Sequence, residues 1–351
     1  MKGQINPRRA IAQAEDSPAM LENRKGKLRL DMNENVLGCS PKARAALLRL
    51  DAEDFSMYPE KENAVERLAP HFGVHADEML VTCGIDDALR LIADVFLERG
   101  RRVLLVEPTF PMYRFYAGQR EARIVSLRYD SGMNFPLRDA LTALRSAPDV
   151  FFLANPNNPT AGLVGRREIE EILDAARRTL VVVDEAYFEF SGVTMLREIR
   201  RRRNLIVTRT FSKTSGLAGL RVGCAFAHRE IAKLLKRAQA PFPISAPALA
   251  VAEAALKDKV FVRRYIGEIL QARKILINGL GRLGIRTFPS AANFILVDFG
   301  ARGPSAISAL RRRGILIRDQ SGAFGRPGFV RITVGTSAQM RRFLKALEPL
   351  V

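Results

Sequence analysis

Short runs of consecutive apolar residues alternate along the chain with longer segments in which apolar positions recur every three or four residues. The runs are rich in valine, leucine and isoleucine and have no polar face, which is typical of parallel strands covered on both sides. The intervening segments, such as "ALRLIADVFLER" at 88–99, have the spacing of amphipathic helices. The predicted strands are 78–82, 101–107, 149–154, 180–186, 205–210 and 223–227.

This alternation predicts an α/β fold, with a large domain at about residues 40–240 built on a mostly parallel sheet between helices. The pattern changes at "APFPISAP" (240–247), where prolines interrupt it. A long helical region ending near Leu283 follows, then strands at 293–299, 315–319 and 329–334 and a helix after Ser337. We therefore predict a smaller α+β domain at 241–351, with residues 1–39 forming an N-terminal arm and part of that domain.

Composition narrows the class of protein. The chain has 351 residues, of which 47% are hydrophobic and 26% charged, as in water-soluble globular proteins. It lacks both the run of roughly 20 apolar residues that a membrane span needs and an apolar secretory signal, so we expect a cytoplasmic protein with no membrane partner. The net charge of +19 is spread along the chain without interleaved aromatic residues, so we expect a solvated basic surface and no specific nucleic-acid partner.

Cysteine and histidine spacing gives no metal or disulfide framework. Cys39, Cys83 and Cys224 lie far apart and outside any C-x-x-C pattern, so we expect ordinary buried thiols. His71 and His75 could share a helix face, but no carboxylate pattern completes a ligand set. We predict no metal site.

Polar residues follow several of the predicted strands. Asp184 comes directly after "LVVV", Lys213 follows the strand at 205–210 by a short turn, and Asn158 lies in the "NPNNPT" turn after 149–154. Ile85 and Asp86 open a helix whose free backbone N–H groups can hold a phosphate. Because ligands of open α/β sheets bind at the carboxyl ends of strands, we expect these groups to share one crevice.

Together these groups offer an amine for a Schiff base, a carboxylate for a protonated ring nitrogen, an amide, and a phosphate site completed by Arg221, a set that pyridoxal 5'-phosphate requires. The chain from about residue 28 resembles the fold type I pyridoxal-phosphate aminotransferases, and within them the histidinol-phosphate aminotransferase family. The motifs that carry this resemblance, in the family's order, are "LDMNEN" (30–35), "MYPE" (57–60), "NPNNPT" (155–160), "VVDEAY" (182–187), "RTFSKTSGLAGLRVG" (209–223), "GILIRDQ" (314–320) and "VRITVGT" (330–336).

The resemblance implies a seven-stranded large-domain sheet and a role for each matching residue. Lys213 would carry the cofactor and move the proton during catalysis, and Asp184 would keep the ring nitrogen protonated. Tyr187, also expected to be catalytic, and Asn158 would bond the ring's 3-oxygen. The other cofactor contacts implied are Phe110 on the ring face and, around the phosphate, Ile85, Asp86, Thr210, Ser212, Arg221 and Tyr58.

The family's Tyr58 position reaches the cofactor from a partner subunit, so the resemblance implies a homodimer with shared active sites. It also implies an anionic amine donor bound by Asn33, Arg318 and Arg331, with a 2-oxo acid as acceptor. Of the possible donors, histidinol phosphate leads, with 2-oxoglutarate as acceptor. An amino-acid aminotransferase, for example for aromatic substrates, and a decarboxylase for a phosphorylated amino acid such as threonine phosphate are the alternatives.

The chain departs from the family pattern in three places. Val36 replaces the proline of Asn-Glu-Asn-Pro, Ala161 replaces a glycine after Thr160, and the arm lacks a Pro-Tyr element. The first and third concern the pocket wall and so the substrate. Ala161 leads us to expect a backbone there that avoids positive φ. A transcription regulator with a pyridoxal-binding sensor domain is disfavoured, because an arm of this length is too short for a DNA-binding module.

Overall fold

The computed structural model describes residues 7–12 and 23–351, so the rest of the N-terminal arm lies outside the described residues. The strands are β1 Leu28–Leu30, β2 Met79–Thr82, β3 Arg102–Glu107, β4 Arg123–Arg128, β5 Val150–Ala154, β6 Leu180–Asp184, β7 Leu205–Thr210, β8 Gly223–Ala227, β9 Arg286–Thr287, β10 Phe294–Asp298, β11 Ile315–Asp319 and β12 Phe329–Thr333. The helices are α1 Arg9–Ala12, α2 Pro41–Leu47, α3 Ala52–Ser56, α4 Lys61–Phe72, α5 Gly84–Phe96, α6 Met112–Gln119, α7 Leu137–Leu144, α8 Arg166–Ala175, α9 Phe188–Ser191, α10 Arg229–Ala238, α11 Ala246–Leu256, α12 Lys259–Arg282, α13 Gly303–Arg312, α14 Ser321–Phe324 and α15 Ser337–Leu347.

The larger sheet has seven strands in the order β2-β8-β7-β6-β5-β3-β4. Strands β4, β3, β5, β6 and β7 run parallel, while β8 is antiparallel to both of its neighbours. This confirms the predicted mostly parallel sheet. From β3 the chain moves to β4 at one edge of the sheet. From β5 it moves through β6 to β7, toward the other edge, so the direction of strand order reverses between β3 and β5. Ligand crevices open at the carboxyl ends of strands at such a reversal.

Helices cover both faces of this sheet, which is why its central strands read as continuous apolar runs. On β5, Phe151 and Leu153 join one hydrophobic cluster, which α4, α8 and α11 also enter. Val150 and Phe152 point to the opposite cluster, shared with α5, α6 and α10. Successive strand residues thus alternate between two buried faces, which leaves no exposed face to interrupt the apolar run.

The smaller sheet has five strands in the order β1-β11-β12-β10-β9. Its core includes Leu30, Phe294 and Ile332 and packs against α12 and α15. The parallel pairing of β1 with β11 joins the residues before the large sheet to the C-terminal part of the chain. In the region after 240, α11 contributes Leu249 to the core of the large sheet, and the division of the chain into domains at residue 240 stays a prediction.

Two cysteine predictions are wrong. Cys39 and Cys83 are exposed, and only Cys224 is buried. Cys83 lies directly before α5, at the rim where the chain leaves β2, and Cys39 lies in the loop before α2, so neither side chain enters a core.

Within the described ranges, no helix is long and apolar enough to cross a membrane.

Candidate active site

A cavity of about 460 Å³ opens at the carboxyl ends of β5, β6 and β7, beside the reversal of strand order. It brings together residues from the N-terminal segment, the large sheet and the small sheet. The predicted site residues that line it are Asn33, Ile85, Asp86, Phe110, Asn158, Asp184, Tyr187, Thr210, Ser212, Lys213, Arg221 and Arg331.

Asp184 ends the buried strand β6 and is 5% exposed. The Tyr113 hydroxyl donates to its Oδ2 at 2.7 Å, and the backbone N–H of Ala186 donates to Oδ1 at 3.1 Å. Burial raises the pKa of Asp184 above its ordinary value, partly offset by the Tyr113 hydrogen bond. A carboxylate so placed favours a positively charged group in the cavity, because a nearby positive charge stabilises the ionised form that burial disfavours.

Lys213 lies in the turn after β7, where its Nζ donates to the carbonyl of Met32 at 3.2 Å. The same Nζ lies 5.6 Å from the centre of the Tyr187 ring. The amine therefore reaches into the cavity between the N-terminal segment and the chain after β6. A primary amine there can attack a carbonyl carbon or carry a proton across the site.

The start of α5 forms one wall of the cavity. Gly84 has φ +77°, and a Cβ on it would lie 2.6 Å from an Arg221 nitrogen. A Cβ on Gly223 would likewise lie 2.6 Å from the carbonyl carbon of Gly84. These glycines let the guanidinium and the helix start approach each other closely, with Asp86 holding Arg221 at 2.9 Å. The first-turn N–H groups of a helix lack intrahelical acceptors, so this corner can bind an anion.

Ser212 and Thr210 complete that corner from the turn after β7. The Thr210 hydroxyl accepts from the Ser212 backbone N–H at 3.0 Å, which orders the turn that leads into Lys213. Arg221 itself adopts φ 53°, a left-handed conformation that a non-glycine residue holds at some cost. Strain of this kind is common where a side chain must be aimed at a ligand.

Aromatic and amide groups occupy the middle of the cavity. Asn33 donates from Nδ2 to the Tyr187 hydroxyl at 2.9 Å, and its own Oδ1 accepts from Thr333 at 3.0 Å. Phe110 lines the cavity and packs edge to face on Tyr113, with ring centres 5.7 Å apart. The predicted ring-face residue therefore lies beside the hydroxyl that supports Asp184.

Arg331 of β12 faces the cavity from the small sheet and is 7% exposed. It donates to Asn158 Oδ1 at 2.5 Å and to the backbone carbonyl of Asp31. Both acceptors are neutral, and its Nε has no hydrogen-bond partner among the described residues. Burial lowers the pKa of Arg331 to about 10. A buried cation held only by neutral groups is suited to an incoming anion.

Two predicted residues lie apart from this cavity within the single chain. Tyr58 is 78% exposed and stacks on Phe242 with ring centres 4.2 Å apart. Arg318 lies on β11 directly opposite Arg331 but does not line the cavity. The monomer thus assembles most of the predicted set and leaves Tyr58 facing outward.

Sequence reasoning missed three residues that shape the cavity. Tyr113 supports Asp184, and it could have been noticed because it follows Phe110 by three positions, at the start of a helix. Arg24 lines the mouth, where it pairs with Asp31 at 2.6 Å and with Glu34 at 2.8 Å. Arg24 and Glu34 carried no pattern that would separate them from surface charges.

The expectation that Ala161 avoids positive φ is wrong. Its φ is 59°, and its side chain is fully buried in the core of the small sheet. The turn imposes this conformation because the Asn157 N–H bonds the Gly162 carbonyl at 2.8 Å and the Ala161 N–H returns to the Asn157 carbonyl at 2.8 Å. The chain accepts alanine in a left-handed turn that glycine would fill without strain.

Comparisons with known proteins agree with this geometry. The sequence pattern of the aminotransferase class I and II family matches residues 25–347. A histidinol-phosphate aminotransferase of Symbiobacterium thermophilum is 37% identical over 326 residues, covering 92% of this chain and 90% of that protein. The crystal structure of the histidinol-phosphate aminotransferase from Clostridium acetobutylicum aligns with a TM-score of 0.85 and 25% identity, covering 92% of this chain and 98% of the other. That of L-threonine-O-3-phosphate decarboxylase from Porphyromonas gingivalis aligns with a TM-score of 0.80 and 26% identity, with the same coverage of 92% and 98%.

Proposed function

The chain belongs to the class I and II aminotransferases, and we propose that it transfers the amino group of L-histidinol phosphate to 2-oxoglutarate, giving imidazole acetol phosphate and L-glutamate. The observation that carries this choice of donor is the 37% identity, across 92% of the chain, to a relative named for that reaction. The buried, carboxylate-free contacts of Arg331 support a phosphate or carboxylate on the donor. Since such a reaction acts on soluble metabolites of amino-acid biosynthesis, we place the enzyme in the cytoplasm.

The cavity fits pyridoxal 5'-phosphate, the cofactor of this family. The glycine-lined corner at α5 would take the phosphate on the N–H groups of Ile85 and Asp86 and on Arg221. Asp184 would bond the ring nitrogen, since its buried carboxylate gains most from a protonated partner. When bound, the cofactor supplies an aldehyde for the amino group and a ring that withdraws electrons from the reacting carbon.

The chain's own residues would orient the cofactor ring and the donor and would move the proton between them. Lys213 Nζ would act first as a base, taking the proton from the donor's Cα. It would then act as an acid and give a proton to the cofactor's C4' carbon, which carries the transferred nitrogen. Tyr187, fixed by Asn33 at 2.9 Å, and Asn158 would hold the ring's 3-oxygen and so the tilt of the ring. Arg331 would hold the donor's anionic end, with Arg318 on the adjacent strand adding positive charge.

We propose that the enzyme acts as a homodimer, with Tyr58 entering the partner's phosphate corner. Supporting this, three large apolar side chains in the segment that leads to Tyr58 are more than half exposed in the single chain, as on surfaces that bind a partner. These residues are Leu48, Phe55 and Met57.

The test is a single-turnover absorbance experiment without acceptor. Holoenzyme is mixed in turn with histidinol phosphate, phenylalanine and phosphothreonine, and the cofactor's visible absorbance is followed. Rapid loss of that absorbance with histidinol phosphate alone supports the proposal. Loss with phenylalanine, or release of carbon dioxide from phosphothreonine, would overturn the choice of donor and keep the fold and cofactor.

Lys213→Ala is the matched control for the chemistry. It should bind the cofactor without the absorbance of the covalent link and should convert no donor. Unchanged absorbance in this variant would contradict the role given to Lys213, whichever donor the enzyme uses.

A further inference from the structure

A carboxylate lies behind the loop that carries Lys213. Glu189 belongs to α9, which begins directly after Tyr187, and is partly buried. Its Oε1 accepts from the Thr214 hydroxyl at 2.9 Å. Thr214 directly follows Lys213 and is 1% exposed. One hydrogen bond thus joins the segment of Tyr187 to the loop of the reactive lysine.

The opposite side of the same loop is also fixed. Asn35 donates from Nδ2 to the Thr214 carbonyl at 2.9 Å. Gly216, with φ +70°, passes so close to Gly38 that a Cβ on it would lie 2.1 Å from the Gly38 carbonyl oxygen. The loop is therefore held between the N-terminal segment and α9, and the contact from α9 is a side-chain hydrogen bond to a carboxylate.

Two carboxylates and one guanidinium lie together behind this loop. Arg209 pairs with Glu185 at 3.0 Å and lies 3.5 Å over the Phe188 ring. Glu185 also accepts from the Met195 backbone N–H at 2.6 Å, so its negative charge is balanced by Arg209 and by this donor. Glu189 makes no ion pair with a described residue. The cluster therefore carries one negative charge in excess when Glu189 is ionised.

The titratable groups that face this position come from every neighbouring segment. Glu185 and Arg209 act on Glu189 from the end of the large sheet. Tyr187 and Lys213, which are close to Glu189 and Thr214 in the sequence, line the cavity. From α12, Tyr265 packs edge to face on Phe190, the residue after Glu189. Among them, Glu185 raises the pKa of Glu189 and Arg209 lowers it, but burial is the largest cause and raises that pKa to about 7.

We propose that Glu189 is a positioning residue for Lys213: through Thr214 it fixes the lysine loop against the Tyr187 segment and sets the charge behind the reactive amine. This inference rests on the proposed attachment of the cofactor to Lys213 and is independent of which donor the enzyme uses. A charged acceptor makes a stronger hydrogen bond to a hydroxyl than a neutral one does, so the loop is held most firmly when Glu189 is ionised.

The sign of the pH effect follows from the raised pKa. Between about 4.5, the ordinary value, and about 7, the folded protein binds more protons at Glu189 than the unfolded chain does. Because the cost of burying the charge outweighs the stronger hydrogen bond of the ionised form, the folded state loses stability relative to the unfolded chain as pH rises through this interval. Glu189→Gln keeps the shape and an acceptor oxygen but removes the titration.

The experiment compares wild type, Glu189→Gln, Thr214→Val and the double variant as holoenzymes. The readout is the pH midpoint of the cofactor's visible absorbance. Glu189→Gln should lower that midpoint by about half a pH unit or more, because it removes the negative charge that is hydrogen-bonded to Thr214, the residue directly after Lys213. Thr214→Val should shift it in the same direction, and the double variant should shift it no further than Glu189→Gln, since both act through one hydrogen bond. Thr214→Ser, which keeps the hydroxyl, should restore the wild-type midpoint.

A second readout uses the cofactor-free protein. The stability of wild type relative to Glu189→Gln should fall as pH rises from 5 to about 8. Glu78→Gln is the matched control, because Glu78 is a buried glutamate paired with Arg200 at 2.8 Å outside the cavity, and it should leave the absorbance midpoint unchanged. Equal midpoints in wild type and Glu189→Gln, or strictly additive shifts in the double variant, would overturn the proposal. Loss of the covalent absorbance in Lys213→Ala separates that failure from an error in the role of Lys213.

Discussion

Replacing Arg331 by methionine should impair donor binding far more than it impairs folding. Arg331 is 7% exposed and donates to two neutral oxygens, those of the Asn158 side chain and the Asp31 backbone. Arg331→Met keeps much of the length and apolar stem of the side chain and removes its charge. The variant therefore separates what the cation contributes to the fold from what it contributes to the substrate.

The structure sets the size of both effects. The fall in the pKa of Arg331 to about 10 corresponds to a free-energy cost of about 3 kcal/mol for burying the charge. Removing that cost offsets the loss of two hydrogen bonds at about 1–3 kcal/mol each, so the free energy of unfolding of the cofactor-free protein should change by no more than about 3 kcal/mol. Loss of two charge-assisted bonds to the donor should cost about 3–5 kcal/mol, or about 10²- to 10⁴-fold in kcat/KM.

Urea unfolding of the cofactor-free protein and steady-state kinetics with histidinol phosphate measure the two quantities. Arg331→Lys is the matched control, because it retains the charge without the planar fork and should lose less activity than the methionine variant. The reasoning is refuted if Arg331→Met unfolds with several kcal/mol less free energy while kcat/KM for the donor stays near that of wild type. That outcome would make Arg331 a structural residue.

Three further changes test other parts of the site. Gly84→Ala places a Cβ 2.6 Å from an Arg221 nitrogen at φ +77°, so it should weaken cofactor affinity at least about tenfold in a fluorescence titration, whereas Gly100→Ala, at a similar φ in open space, should not. Ala161→Gly should change the free energy of unfolding by less than about 1 kcal/mol, because relief of left-handed strain is offset by lost methyl burial and a more flexible unfolded chain; a larger change in thermal unfolding would contradict this. Tyr113→Phe removes the hydroxyl that donates to Asp184, so the pKa of that carboxyl should rise further and the acid limb of the kcat profile should move to higher pH; an unmoved limb would count against the role of Tyr113.

The central strands could be predicted because both of their faces are buried, which forces a continuous apolar run. Strand β4 could not, since it lies at the edge of the sheet and none of its residues is fully buried. Its sequence, "RIVSLR", begins and ends with arginine and reads equally well as a connecting segment. Strand β1 has only three residues and is a strand because it pairs with β11, almost 290 positions away in the sequence. Short strands of this kind depend on tertiary pairing, and local sequence does not encode that pairing.

The site could be predicted to the extent that topology alone places residues. Asp184 ends β6, Asn158 follows β5 and Lys213 follows β7, and these parallel strands bring their ends to one edge. The pairing of Arg24 with Asp31 and Glu34 depends on how the segment from residue 23 to 35 lies at the cavity, which no local pattern reports. The same holds for each hydrogen bond formed between distant parts of the chain.

The position of Asn33 links the two sheets at the candidate active site. Asn33 fixes the Tyr187 hydroxyl but is itself fixed by Thr333, on the strand that also carries Arg331. Tyr187 in turn packs on Phe294 in the core of the small sheet, with ring centres 5.1 Å apart. A shift of the small sheet would therefore move the group proposed to hold the cofactor ring and the group proposed to hold the donor at the same time. Because proton transfer depends on distances within a few tenths of an ångström, loosening this core should reduce kcat before it produces measurable unfolding.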